Sequence, residues 1–391
     1  MPHFLAKKTH FPSYPFTQDG YEFCFEASSI HSQSESLIHV RFCGDGGEKT
    51  FFVRKINRAQ DILFKAEKIT KPQPIGILKG ALRALAQKCE VIVHNLNNDS
   101  MRQVIQSKFL LSPKELIART QKEFCIEIGF GSGRHLLKQA QLHPQTDYIG
   151  VEIHTPSIEQ VLRQIELLGL QNVLIVCMDA RILLEILPSN QCQAIYIHFP
   201  IPWHKSPHRR VMSQKLLTQA LRVLAPNAPL ELRTDDLGYF QDSLSLAMEQ
   251  EVARIQAAKN LSNVVVSKYE ARWQRKQKDI FDLKIFSLHH HESEKIEYDF
   301  VFDFSLPKHA LTHRFEKIIK KDYFLHICDV FQSDCFWIVS VSFGDFERPL
   351  SKLIIFDILA QKIYYFGGDP LATRANIKSH QELLRLLMEE R

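Results

Sequence analysis

Three patterns of apolar and polar positions follow one another along the chain. In residues 1–111, Tyr21–Ala27, Leu37–Cys43 and Thr50–Lys55 alternate with the period of a strand. Gly44-Asp45-Gly46-Gly47 lies between the second and third runs and predicts a hairpin across Asp45–Gly46. Lys71-Pro72-Gln73-Pro74 is a rigid break, after which Ile77–Gln87 reads as a helix. In residues 112–288 the pattern changes. The apolar runs Phe124–Ile128, Tyr148–Val151, Val173–Cys177, Ala194–His198 and Pro229–Arg233 are separated by amphipathic segments at Arg134–Gln141, Ser157–Leu168, Ala180–Leu187 and Ser213–Leu224. Such alternation marks βαβ units and a parallel sheet covered on both faces. From 289 it stops. Ile296–Phe304, Tyr323–Val330, Phe336–Phe343, Leu353–Leu359 and Lys362–Phe366 are β-branched and aromatic with period two, and Ser379–Glu389 predicts a closing helix. The expected architecture is α/β: a Rossmann-like domain over 112–288, a β-rich N-terminal region (1–111) and a β-rich C-terminal domain (289–391). No internal repeat or low-complexity segment is visible.

Composition narrows the class. With 391 residues, 45% hydrophobic and 24% charged, the chain has material for two or three ordinary globular domains. No run approaches the ~18 apolar residues of a membrane span. The eight cysteines include no Cys-x-x-Cys pair, so neither a zinc ribbon nor a disulfide framework is expected. The N-terminus lacks a signal pattern, which with the cysteine usage points to a reducing, cytoplasmic compartment. His289-His290-His291 has no further ligand in register and reads as a solvated loop, so no metal is expected. A formal charge of +5 permits a nucleic-acid partner without requiring one.

Candidate chemistry begins at Glu127-Ile128-Gly129-Phe130-Gly131-Ser132-Gly133-Arg134. A strand ends beside an acid, passes through Gly129, Gly131 and Gly133, and opens a helix whose N-terminal amides can face an anionic group. The dinucleotide fingerprint places its third glycine one position later, so this spacing suits an S-adenosylmethionine loop better than a pyrophosphate loop. Glu152 closes the next strand, where a carboxylate can accept from ribose hydroxyls. Asp179, followed by Ala180, closes the third and suits an adenine amine. After the fourth strand comes His198-Phe199-Pro200-Ile201-Pro202-Trp203-His204-Lys205 and then Arg209-Arg210. Its prolines predict a stiff lip over the pocket, Trp203 offers a stacking face, and the cations offer phosphate donors.

These residues, in this order, resemble the bacterial tRNA (guanine-N7)-methyltransferases. The family pattern runs Glu-Ile-Gly-x-Gly-x-Gly, Gly-Val-Glu, Asp-Ala, Phe-Pro-Asp-Pro-Trp-x-Lys with two arginines, Thr-Asp, and Thr-x-(Tyr/Phe)-Glu-x-Arg. Here it is matched by Glu127–Gly133, Gly150–Glu152, Asp179-Ala180, Phe199–Lys205 with Arg209-Arg210, Thr234-Asp235, and Ser267-Lys268-Tyr269-Glu270-Ala271-Arg272. The resemblance covers roughly residues 112–286. It implies a Rossmann-like methyltransferase with S-adenosylmethionine held by Glu127, the glycine loop, Glu152, Asp179 and Ala180. It further implies tRNA as partner, with a variable-loop guanosine as target. By the same matching, Trp203, Lys205, Arg209, Arg210, Asp235, Ser267, Tyr269, Glu270 and Arg272 contact the RNA.

Ile201 stands where the family has an aspartate, the loop to Arg209 is shorter than usual, and Ser267 replaces threonine. Guanine N7 carries a lone pair and no proton, so its attack needs alignment rather than a base. Asp235 and Glu270 are therefore the candidates to take over base recognition. Two alternatives stay open at this point. One is a catalytically weak RNA-binding or assembly factor on the same fold. The other is a nicotinamide dehydrogenase, which the glycine spacing disfavours.

Overall fold

The computed structural model describes residues 1–8, 11–44, 47–97, 107–120, 123–251, 254–261, 278–292, 297–304 and 316–389. The chain divides into two compact units, Met1–Val104 with Glu297–Arg391, and Ile105–Ile296. The flanks that read along the sequence as separate regions therefore share one discontinuous unit.

The first unit opens with β1 (His3–Lys7), β2 (Phe16–Gln18), β3 (Tyr21–Ser29), β4 (Glu35–Gly44), β5 (Gly47–Asn57), β6 (Asp61–Ala66), α1 (Ile75–Ala86) and β7 (Val91–His94). The second unit comprises β8 (Leu110–Leu111), α2 (Pro113–Arg119), β9 (Phe124–Ile128), α3 (Arg134–Leu142), β10 (Asp147–Val151), α4 (Thr155–Leu168) and β11 (Val173–Val176). It continues with α5 (Ala180–Ile186), β12 (Cys192–His198), α6 (Gln214–Val223), β13 (Pro229–Thr234), α7 (Leu237–Met248), β14 (Arg254–Lys259) and β15 (Phe281–Phe286). The first unit then resumes with β16 (Ile318–Ile319), β17 (Phe324–Gln332), β18 (Phe336–Gly344), β19 (Pro349–Asp357), β20 (Lys362–Tyr365) and α8 (Arg374–Glu389).

In the first unit one antiparallel sheet runs β20-β19-β18-β17-β3-β4-β5-β6-β1-β7, with β2 and β16 attached to β3 and β17. Its halves share a topology that no sequence repeat announces. Each is a four-strand meander followed by a helix, β3–β6 with α1 and β17–β20 with α8, and the first strands of the two meet antiparallel at Ser28↔Gln332. Both first strands are bulged at a cysteine, Cys24 and Cys328, where the pairing register slips by one residue. Each thiol donates to the carbonyl two residues back. The predicted strand Ile296–Phe304 is a correction: its described part, 297–304, is irregular. Phe300 and Phe302 pack on the His380 ring of α8, and Val301 O faces His380 Nε2 at 3.2 Å, so side chains rather than a ladder anchor this period-two segment. The hairpin residues Asp45 and Gly46 lie outside the described residues, but pairing continues to Gly44↔Gly47, the register a two-residue turn needs.

The second unit is a doubly wound sheet in the order β14-β15-β13-β12-β9-β10-β11-β8. β8 to β13 are parallel, and β15 runs antiparallel between β13 and β14. Apolar residues of α3 and α4, among them Leu136, Val161 and Ile165, cover one face. Leu116, Leu183, Leu216 and Tyr239 from α2, α5, α6 and α7 cover the other. β11 is buried on both sides, which is why it reads as an unbroken apolar run. From β9 the chain moves outward to β10 and β11, then returns to β12 on the opposite side. The carboxyl ends of β9 and β12 therefore flank the crevice where doubly wound sheets bind ligands.

Candidate active site

The glycine loop leaves β9 with Gly129, Gly131 and Gly133 all left-handed, at φ of 70°, 52° and 70°. A side chain at Gly133 would be strained twice, since its Cβ would lie 2.4 Å from Val161 Cγ2. Around Gly131 the only neighbour within 4 Å of a Cβ would be Gly129 O, so the backbone there is open to a ligand. Glu152, at the end of β10, braces the loop: Oε2 accepts from Gly131 N at 3.2 Å, and Oε1 accepts from Ile153 N at 2.8 Å and His154 N at 3.0 Å. Asp179 caps α5 by accepting from Arg181 N at 3.0 Å, and the Arg181 guanidinium folds back onto the same carboxylate. Ala180 opens that helix. Three of the expected cofactor contacts thus converge on adjacent strand ends.

Glu127 sits differently. It is 4% exposed, and His135 Nδ1 on the first turn of α3 donates to its Oε2 at 2.8 Å. The Glu127–His135 bond spans the glycine loop like a clasp.

The opposite wall is the loop after β12. Phe199 (φ 51°) and Trp203 (φ 45°) are both left-handed, conformations a non-glycine residue holds only where its surroundings enforce them. Phe199 N donates to Arg233 O at 2.7 Å, and Arg210 braces the Trp203 end of the loop. Arg210 Nε donates to Pro202 O at 2.7 Å, its Nη1 pairs with Asp242, and it lies 5.0 Å from the Tyr239 ring centroid. Arg210, expected to touch RNA, is instead 8% exposed and spends its donors inside the protein. Arg209 lies over the Trp203 ring at 5.2 Å, and Trp203 is 38% exposed. Lys205 is exposed, and Ile201, at the family's aspartate position, is 66% exposed.

On β13 and its continuation, Asp235 Oδ2 pairs with Lys278 Nζ at 3.0 Å. Asp236 accepts from Tyr239 N at 2.6 Å as the cap of α7, and His204 Nδ1 lies 3.6 Å from its other oxygen. Ser267, Tyr269, Glu270 and Arg272 lie outside the described residues.

Sequence reasoning did not single out the buried polar cluster beneath the crevice. His198 Nε2 donates to Glu231 Oε1 at 3.1 Å, Lys284 Nζ lies 2.9 Å from Glu231 Oε2, and the His198 and His135 rings are 4.4 Å apart at 62°. Burial alone would raise the Glu231 carboxyl, but the His198 bond and Lys284 outweigh it and pull it down to about 2. Burial pushes His198 below its ordinary value despite the Glu231 bond. The available signal was polar residues interrupting strands, with Tyr196, Glu231 and Lys284 each interrupting an apolar run. Among the described residues no group of three His, Cys, Asp or Glu side chains is placed to hold a metal ion. No helix among them is long and apolar enough to cross a membrane.

A glycine turn after the central strand, acids ending the next two strands and a basic lip across the switch point define a nucleoside-cofactor-binding α/β domain. Residues 121–283 match a family model described as "Putative methyltransferase". The chain is 45% identical to the tRNA (guanine-N(7)-)-methyltransferase of Helicobacter hepaticus, with 100% of each chain covered. It is 41% identical to the Helicobacter pylori protein of that name (100% and 99% covered) and 39% identical to that of Wolinella succinogenes (98% and 99%). The chain belongs to the tRNA (guanine-N(7)-)-methyltransferase family. Among solved structures, an antibiotic-related methyltransferase aligns over 45% of this chain and 94% of its own, at 22% identity and a TM-score of 0.34.

Proposed function

We propose that this protein methylates guanine N7 in tRNA, at a variable-loop guanosine, with S-adenosylmethionine as donor, in the cytoplasm. The observation that carries the reading is full-length family identity joined to a crevice with a cofactor-type wall and a basic wall. When bound, S-adenosylmethionine supplies an electrophilic methyl group that the N7 lone pair takes in an in-line displacement.

The residues present fit that cofactor. The backbone around Gly131 is open to it, and Glu152 is fixed by three amides with acceptor capacity left for ribose hydroxyls. Asp179 closes the third strand, and Oε1 of Glu127 remains beside the loop once Oε2 is held by His135.

On the base side, the partly exposed Trp203 stacks on a base, and Lys205 and Arg209 meet phosphates. Arg210 shapes the loop that carries them. Because no proton leaves N7, an isoleucine at position 201 removes no required base. Recognition of guanine N1–H and its amine falls to Asp235 and Glu270, and the family motif assigns Ser267, Tyr269 and Arg272 to contacts with the RNA. Lys278 Nζ lies 3.0 Å from Asp235 Oδ2 and orients that carboxylate.

The test is methyl transfer to unmodified tRNA by Asp235→Ala and Glu270→Ala. Each is expected to lower kcat/KM by about 10²-fold, the scale of a lost charged recognition bond. Wild-type rates in both would refute the assignment. A second reading, an RNA-binding factor that turns over little, is favoured by the exposed Ile201 alone, and calorimetry showing no S-adenosylmethionine binding would support it.

A further inference from the structure

The cluster beneath the crevice has a use beyond folding. Strand register sets Glu127 of β9, Tyr196 of β12, Glu231 of β13 and Lys284 of β15 in one row across the sheet. His198, two residues beyond Tyr196, points to the same face. Glu127, His135 and Glu231 are all buried, and so is the His198 side chain. Buried ionisable groups contribute little net stability compared with apolar residues of similar volume, so what such a row offers is a defined geometry.

Two parts of this cluster each hold a wall of the crevice. On one side the Glu127–His135 bond joins the residues flanking the glycine loop, two positions before Gly129 and two after Gly133. On the other, His198 immediately precedes Phe199, where the chain turns left-handed into the basic loop, and Glu231 fixes its ring. The two rings meet edge to face at 4.4 Å, so the walls touch each other underneath as well as through the sheet.

We propose that His198 is a positioning residue for methyl transfer, holding the base-side loop in register with the cofactor loop through His135 and Glu231. This rests on the function proposed above. His198 touches neither reactant. It sets the distance and angle between the surfaces that hold them, and a misplacement of about 1 Å can cost about 10²-fold in rate.

The test compares wild type with His198→Phe, which keeps a ring but loses the bond to Glu231, and with the double variant His198→Phe/Glu231→Leu, which also removes the stranded carboxylate. Three quantities are measured: the single-turnover rate at saturating tRNA and cofactor, the Kd of S-adenosylmethionine and of tRNA by calorimetry, and the melting temperature. For His198→Phe the expected result is a rate lower by about 30- to 100-fold, with both Kd values within about threefold of wild type. The double variant recovers melting temperature but not rate. A rate that recovers along with melting temperature, or a His198→Phe rate within about twofold of wild type, overturns the proposal alone. Wild-type protein that methylates no tRNA overturns this proposal and the functional reading together.

Discussion

The two units are built on opposite principles, and that governs what each reveals. In the Ile105–Ile296 unit the strands from β8 to β13 lie parallel, so the central ones, such as β9 and β11, are buried on both faces and their carboxyl ends open on one edge. The topology delivers Gly131, Glu152 and Asp179, the proposed cofactor contacts, to that edge. In the discontinuous unit every pairing among the described residues is antiparallel, and its two halves, from opposite segments of the chain, join where Ser28 and Ser29 pair with Gln332 and Phe331 and through an apolar cluster that includes Ala27, Phe52, Phe331 and Ile355. That construction gives a large core and a repeated meander-plus-helix. The second unit is an instrument for placing strand ends; the first is a sheet closed by its helices.

The comparison predicts where substitutions bite. The largest effect is expected at Glu152, which braces the glycine loop through three amides. Glu152→Ala should weaken S-adenosylmethionine binding by about 10²-fold in calorimetry, since it strands those amides and removes the proposed ribose acceptor. Near-normal affinity would break the link between the parallel sheet edge and cofactor binding.

Acid should distinguish the units next. Glu231 in the second unit titrates near 2 when folded, below the ordinary 4.5, so the unfolded chain binds more protons between those values. Its contribution is complete above about 4.5 and is lost as pH falls toward 2. His198 adds to this: its depressed folded value means stability begins to fall once pH drops below about 6.5. In the first unit, burial pushes His39 down from 6.5 to about 4, so its contribution is lost between those values. Thermal unfolding at graded pH should show Glu231→Gln flattening the profile between about 4.5 and 2 while the His39 segment remains.

The smallest effect belongs to Ser379 of α8. Its hydroxyl accepts from Gly344 N at 3.2 Å and lies 3.1 Å from Phe324 O, joining helix to sheet in the first unit. Ser379→Ala should cost about 1 kcal/mol in denaturant unfolding and leave the methyl-transfer rate unchanged. A rate loss there would show that chemistry depends on the discontinuous unit.

Sequence legibility follows the same divide. Phe124–Ile128 and the start of α3 at Arg134 coincide with the pattern read from the sequence, because double burial and a glycine stop leave little ambiguity. β14 was not legible, since Arg254–Lys259 is largely exposed and lacks an apolar rhythm. Ile296–Phe304 had the rhythm of a strand but, among the described residues, no ladder partner, and its rings found α8 instead. The junction of β3 with β17 joins residues some 300 positions apart and leaves no local trace. Within the site, residue types at strand ends were readable, while their partners were not. Arg210 looked like a phosphate donor until Asp242, on a later helix, claimed it. His198 looked like a loop residue until strand register set it beside His135 and Glu231.

The most direct measurement is mapping of N7-methylguanosine in unmodified tRNA incubated with the purified chain and S-adenosylmethionine. The account predicts a single methylated guanosine in the variable loop, formed more slowly at limiting cofactor when Glu152→Ala replaces the wild type. Bound cofactor and bound tRNA without any N7-methylguanosine would contradict it.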